Sequence, residues 1–131
     1  MSGPVITVEV STGELIDKIT ILEIKAARMT DAEKLRNVHL ELATLTAARD
    51  GATRPSPELE RLTGDLKAVN EALWDIEDDI RACERAGDFG SRFVELARAV
   101  YRTNDRRSAL KRDINQLLGS RLVEEKSYAP Y

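Results

Sequence analysis

From Leu59 onward the apolar residues recur as Leu59, Leu62, Leu66, Val69, Leu73, Ile76, Ile80 and Cys83, in steps of three and four without a miss. That alternation holds one narrow stripe on a helix face for more than three heptads, which is the pattern of a coiled-coil seam. Ser56-Pro57-Glu58 supplies a cap, a proline for the first turn and an acid near the positive end of the dipole, so a helix is predicted over 57–86. Gly87-Asp88-Phe89-Gly90 interrupts the pattern, and a second stripe follows: Phe93, Leu96, Val100, Thr103, Arg107, Leu110, Ile114 and Leu117. The same spacing predicts a helix over 91–118, closed by Gly119, with Thr103 and Arg107 standing where apolar residues would be expected. Two such helices around a glycine turn predict a long antiparallel coiled-coil hairpin.

Upstream, Ser11-Thr12-Gly13-Glu14 reads as a capping box for a helix over 12–29. Leu15, Ile16, Ile19, Leu22, Ala26 and Met29 keep helical spacing, and Ile21 and Ile24 add a second apolar side, the mark of a helix buried deeply or shared between subunits. Thr30-Asp31-Ala32-Glu33 reads as another capping box, opening a helix over 31–49 with Leu35, Val38, Leu42 and Leu45 on one stripe and Asp50-Gly51 as its stop. Val5-Ile6-Thr7-Val8-Glu9-Val10 is β-branched and predicts a short strand over 5–10. A single strand needs a partner: either the tail near Leu122-Val123 or the same strand of a second subunit. Residues 120–131 lack periodicity and read as a tail docking through Leu122, Val123 and Tyr128. The expected fold is all-α: one domain, 1–131, in which four helices assemble around the hairpin, with the short N-terminal strand added.

Composition changes this picture little. A net charge of −3 over 131 residues gives no general pull toward nucleic acid or a membrane surface, and no apolar run reaches the eighteen or so residues of a membrane helix. Met1-Ser2-Gly3-Pro4 has neither the basic nor the apolar region of a signal peptide, and Cys83 is the only cysteine, so a cytoplasmic protein without an internal disulfide or a cysteine-built zinc site is expected. His39 stands alone, Ser91 and Cys83 have no histidine base at a recognisable spacing, and no glycine-rich phosphate loop follows a strand.

Charge is nevertheless unevenly divided. Residues 58–88 carry ten acids and four bases, whereas residues 91–121 carry eight bases and three acids. In an antiparallel hairpin turning at Asp88-Phe89, Asn70 falls near Arg107, Glu71 near Arg106, Trp74-Asp75 near Arg102-Thr103, and Asp78-Asp79 near Arg98. Arginine forks facing carboxylates would fix register and direction. On that reading Asn70, Thr103 and Arg107 are specificity devices in an otherwise apolar seam. An Asn70→Leu/Arg107→Leu pair would then preserve stability. The other reading makes Trp74, Asp75, Asp78, Tyr101, Arg102, Asn104, Asp105, Arg106 and Arg107 the lining of a pocket for a small anion such as a phosphate, nucleotide or nucleotide sugar. Glu71, Asp75, Asp78 and Asp79 also have the spacing of magnesium-binding carboxylates, but the facing helix offers mostly arginines, so no metal or other cofactor is expected.

Two sets of residues resemble a known family. Gly13-Glu14-Leu15-Ile16-Asp17-Lys18-Ile19-Thr20-Ile21-Leu22-Glu23-Ile24-Lys25 is one; the other is Leu73-Trp74-Asp75-Ile76-Glu77-Asp78-Asp79-Ile80-Arg81 with Tyr101-Arg102-Thr103-Asn104-Asp105-Arg106-Arg107 and Val123-Glu124-Glu125-Lys126-Ser127-Tyr128. Together they resemble a family of small bacterial proteins classed as a domain of unknown function. The resemblance implies a bacterial source and carries no established activity. The expectation from sequence is therefore a non-enzymatic interaction or assembly module, a homodimer with a further protein partner, and as the alternative a small-anion binder or enzyme using the polar seam.

Overall fold

The computed structural model describes residues 3–131. It holds four helices: α1 (Thr12–Arg28), α2 (Ala32–Ala52), α3 (Pro57–Ala86) and α4 (Ser91–Leu118). α3 and α4 match the expected limits at both ends. Ser56 Oγ accepts from the Leu59 amide with Pro57 in the first turn, and Gly87 and Gly119 close the two helices at φ 68° and 65°, left-handed values that suit glycine.

The first two helices differ in detail from the sequence reading. Asp31, not Thr30, caps α2, accepting from the Lys34 amide. α2 also runs through Asp50-Gly51 to Ala52, because Gly51 does not take up the left-handed conformation that would have stopped it. At α1, Ser11 accepts from the Glu14 amide as expected. The Glu14 carboxylate does not turn back to complete the box but reaches Lys111 of α4 at 2.7 Å.

No strand is present among the described residues. Residues 3–10 form no regular structure and no backbone–backbone hydrogen bond, and the tail makes no ladder with them. The β-branched run favours an extended chain locally, but a strand also requires a paired edge, and the tail does not supply one.

α1 is the centre of the molecule. It packs on α2, α3 and α4, α3 packs on α4, and α2 touches α1 alone. Ile16 of α1 meets Leu59, Leu62 and Leu66 of α3 and Ile114 of α4 in one core cluster, with Leu110 and Leu118 against it. Leu118, not Leu117, is the inward residue at the end of α4. The stripe of α3 is buried from Leu59 to Val69, while Leu73, Ile76 and Ile80 are half-buried, as are Phe93, Leu96 and Val100 of α4. No helix among the described residues is long and apolar enough to cross a membrane.

The close approach of α1 to α4 depends on Gly13. A Cβ there would fall inside contact distance of the Lys111 carbonyl and 2.9 Å from Asn115 Oδ1. The Gly13 amide donates to that Asn115 oxygen at 2.6 Å, Thr12 Oγ1 donates to it at 3.2 Å, and the Thr12 amide donates to Ser120 Oγ at 3.3 Å. With Ser11 on the Glu14 amide, the free donors of the first turn of α1 are taken up by the last turn of α4 and its cap.

Candidate functional site

The polar seam predicted between α3 and α4 is built around a residue of α1. Asp17 is 1 % exposed, and its carboxylate receives Arg107 Nε at 3.0 Å and Nη2 at 2.5 Å, a two-point fork. Asn70 Nδ2 donates to Asp17 Oδ1 and to Thr20 Oγ1, both at 2.9 Å, while the Thr20 hydroxyl donates to the Asp17 carbonyl at 2.8 Å. Lys111 Nζ lies 4.0 Å from Asp17 and also binds Glu14 and, at 3.3 Å, Glu124 of the tail. Among the described residues no buried side-chain nitrogen or oxygen lacks a hydrogen-bond partner. Asn70 and Arg107 thus lie together, but they meet through a carboxylate from a third helix.

This arrangement sets the charge states of its cations. The Asp17 hydrogen bond, outweighing burial, holds the Arg107 guanidinium above its ordinary value. Burial pulls Lys111 down, but its hydrogen bond to Glu14 and the charges of Glu14 and Asp17, with Glu124, raise it overall. A lysine raised in the folded state contributes stability below its unfolded value of about 10.4, and that contribution is lost as pH rises through the folded value. Melting curves of the wild type are therefore expected to fall more steeply above pH ~10.4 than those of Lys111→Met, with the two slopes alike near neutrality.

The other predicted pairings are redirected. Asp75 binds Arg28 of α1 at 2.6 Å, with Glu71 3.9 Å from the same guanidinium, and Asp79 pairs with Arg92 at 3.6 Å. Arg102 and Arg106 are exposed and face none of these acids. The last turn of α1 lies beside the acidic face of α3 and takes the carboxylates that the hairpin alone would have offered to α4. Among the described residues, no three histidine, cysteine or acidic side chains are grouped to hold a metal ion.

Six of the nine candidate residues line two clefts. One, of about 580 Å³, opens where α1, α3 and α4 meet. Trp74, Asp78, Asn104 and Arg107 line it, joined by Ile21, Ile24 and Lys25 of α1 and by Asn70, Leu73, Glu77 and Arg81. Ile21, Ile24, Leu73 and Trp74 form an apolar wall, with the Arg28 guanidinium 5.9 Å from the Trp74 ring centre. Arg107 reaches this cleft with Nη1 uncommitted, since its hydrogen bonds use Nε and Nη2. Lys25 has no carboxylate within 4.0 Å among the described residues.

The second cleft, of about 710 Å³, lies between α4 and the tail and holds Tyr101, Asp105 and, again, Asn104. Tyr131 covers it, with its ring centre 5.0 Å from that of Tyr101 and its hydroxyl donating to Asp105 at 2.5 Å, a bond that raises the phenol above its ordinary value. The tail is held mainly by polar contacts, Glu124 on Lys111 and Glu125 on Arg112, while Leu122, Val123 and Tyr128, all expected to dock, are exposed. Asp75, Arg102 and Arg106 line neither cleft.

Sequence reasoning confined to the hairpin missed Asp17, Thr20 and Lys25. For Asp17 and Thr20 the signal was spacing: Gly13, Asp17, Thr20 and Ile24 fall at steps of four, three and four, a seam of the same kind as that of α3 but with polar members, whereas Lys25 lies off that seam.

Four helices around a buried ion cluster, with a mixed cleft at its edge, define the class of protein. The chain belongs to a family of unknown function (DUF6165), whose profile matches residues 6–130. No curated protein and no solved structure matches the chain.

Proposed function

We propose that the cleft between α1, α3 and α4 binds a small organic anion, and that the protein acts as a non-enzymatic binding module whose scaffold is fixed by the Asp17 cluster. The observation that carries this reading is the lining: one apolar and aromatic wall facing polar groups that converge from three helices. Lys25 and the free edge of Arg107 suit a carboxylate or phosphate, Trp74 suits a planar or apolar body, and Glu77 and Asp78 suit hydroxyl or ammonium donors on the same molecule. The reading takes α3 and α4 as an antiparallel coiled-coil hairpin, supported by Asp79 lying against Arg92 near the turn while Leu66 and Ile114 share the core far from it.

Trp74 is the only tryptophan in the chain, so its emission reports directly on this cleft. Titration with inorganic phosphate, nucleotides, nucleotide sugars and dicarboxylates is expected to give a saturable change with at least one compound. Lys25→Ala should reduce that affinity about tenfold or more, the scale of a charge-assisted hydrogen bond, without moving the melting temperature. A flat response to the whole panel by a folded protein would count against the site.

A second reading, self-association, is favoured by α2. Because α2 packs on α1 alone, Leu35, Leu42 and Leu45 of its stripe remain half-covered and Leu40 is exposed. An isologous homodimer is the simplest way to cover such a face. Light scattering should give twice the chain mass at micromolar concentration.

A further inference from the structure

We infer that residues 5–10 form a strand between two copies of the protein, each copy pairing antiparallel with the same segment of the other about a two-fold axis at Val8. The inference rests on the self-association reading and adds a contact to the one that α2 offers; it does not depend on the ligand cleft.

The segment belongs to no helix or turn, and five of its six residues are β-branched, which favours an extended chain. Val5, Ile6 and Val8 are 89 %, 84 % and 69 % exposed, and no backbone group from 3 to 10 takes part in a backbone hydrogen bond among the described residues. A run of this composition with both edges open readily adds to another chain.

Among the described residues the tail is the segment that bonds to it, through Arg121, and the tail is committed elsewhere. It meets the segment once, through the Arg121–Glu9 ion pair, and then turns onto α4, where Glu124, Glu125 and Tyr131 bind Lys111, Arg112 and Asp105.

A second copy fits the segment's own pattern. Antiparallel pairing with Val8 opposite Val8 sets Ile6 against Val10 on one face and Thr7 against Glu9 on the other, so apolar residues meet apolar and polar meet polar. Glu9 is the only charge and is already neutralised by Arg121, so the pairing brings no bare like charges together. The segment leads directly into the N-cap of α1, which would place the two helical bodies on opposite sides of a shared ribbon.

The test uses the full chain with Cys83→Ala to remove the native thiol. Val8→Cys is expected to form a disulfide-linked dimer under mild oxidation, since directly opposed residues bring their β-carbons within about 5 Å. Val5→Cys should not, because the two copies of residue 5 would be about 20 Å apart at ~3.4 Å per residue. Val8→Lys sets two ammonium groups across the axis and should convert the dimer to a monomer with unchanged helical circular dichroism. A wild type that is monomeric at every concentration overturns both this inference and the self-association reading. A dimer that persists in Val8→Lys, or that cross-links equally through residue 5, overturns the strand alone and leaves association to the helices.

Discussion

Asp17→Asn is expected to lower stability by about 3–5 kcal/mol, the usual cost of removing one partner from a buried ion pair. For a chain of this size that corresponds to a drop of roughly 10–20 °C in melting temperature. The substitution keeps shape and volume, so the loss would come from electrostatics and hydrogen bonding. Arg107 loses its two-point acceptor, Asn70 meets an amide in place of a carboxylate, and Lys111 keeps only Glu14 and Glu124. A thermal melt decides it: a shift within a few degrees would mean that water or local movement relieves the cluster.

The same geometry revises the double replacement that the sequence alone recommends. Asn70→Leu/Arg107→Leu leaves the Asp17 carboxylate 1 % exposed without its fork, so it should destabilise. Only Asp17→Leu together with both changes removes the network. That triple variant is expected to match or exceed the wild type, by up to about 4 kcal/mol, as buried ion clusters replaced by apolar groups can do. Lys111 retains its two glutamates in the triple variant, so it strands no charge.

Gly13→Ala has the second largest expected effect. The added methyl meets the Lys111 backbone and the Asn115 side chain that holds the Gly13 amide, so α1 must shift away from α4. Overpacking of this kind costs about 1–3 kcal/mol, with the loss of the Asn115 hydrogen bonds adding about 1 kcal/mol. Gly64→Ala is the control. Gly64 lies inside α3 with nothing within 4 Å of its would-be Cβ, and alanine there should stabilise by about 0.5–1 kcal/mol. Opposite signs for the two glycines in parallel melts would confirm that the first is required for packing and the second is not.

Much of this architecture is legible in the chain because the long helices declare themselves by apolar spacing and by residues with one structural use, such as Ser56, Pro57, Gly87 and Gly119. Asn70 and Arg107 were legible as a pair because Arg107 interrupts the stripe of α4 and an antiparallel register sets Asn70 opposite it. Asp17 was not, because helix α1 was read from its isoleucines and leucines, and a carboxylate on the buried face looks like surface until a third helix is known to lie against it. The redirected pairs of Glu71 and Asp75 share that cause, since hairpin geometry sets register between two helices but says nothing of a third. The strand failed differently: propensity describes how a segment lies, whereas pairing requires an edge, and no other described segment offers one. The cleft was half legible, its α3 and α4 side in view and its α1 side, with Lys25, hidden.

The clamp between the first turn of α1 and the last turn of α4 also governs the order of events during synthesis. Asp17 is separated from Arg107 by 90 residues and Gly13 from Asn115 by 102. At translation rates of about 5–20 residues per second, α1 leaves the ribosome on the order of 5–20 s before the residues that neutralise its carboxylate and cap its amides. Until then its isoleucines have only α2 and later α3 to lie against. Helix α2, which packs on no helix but α1, is the first to arrive and can shield α1 through that interval, a companion for the nascent chain more than a wall of the mature core.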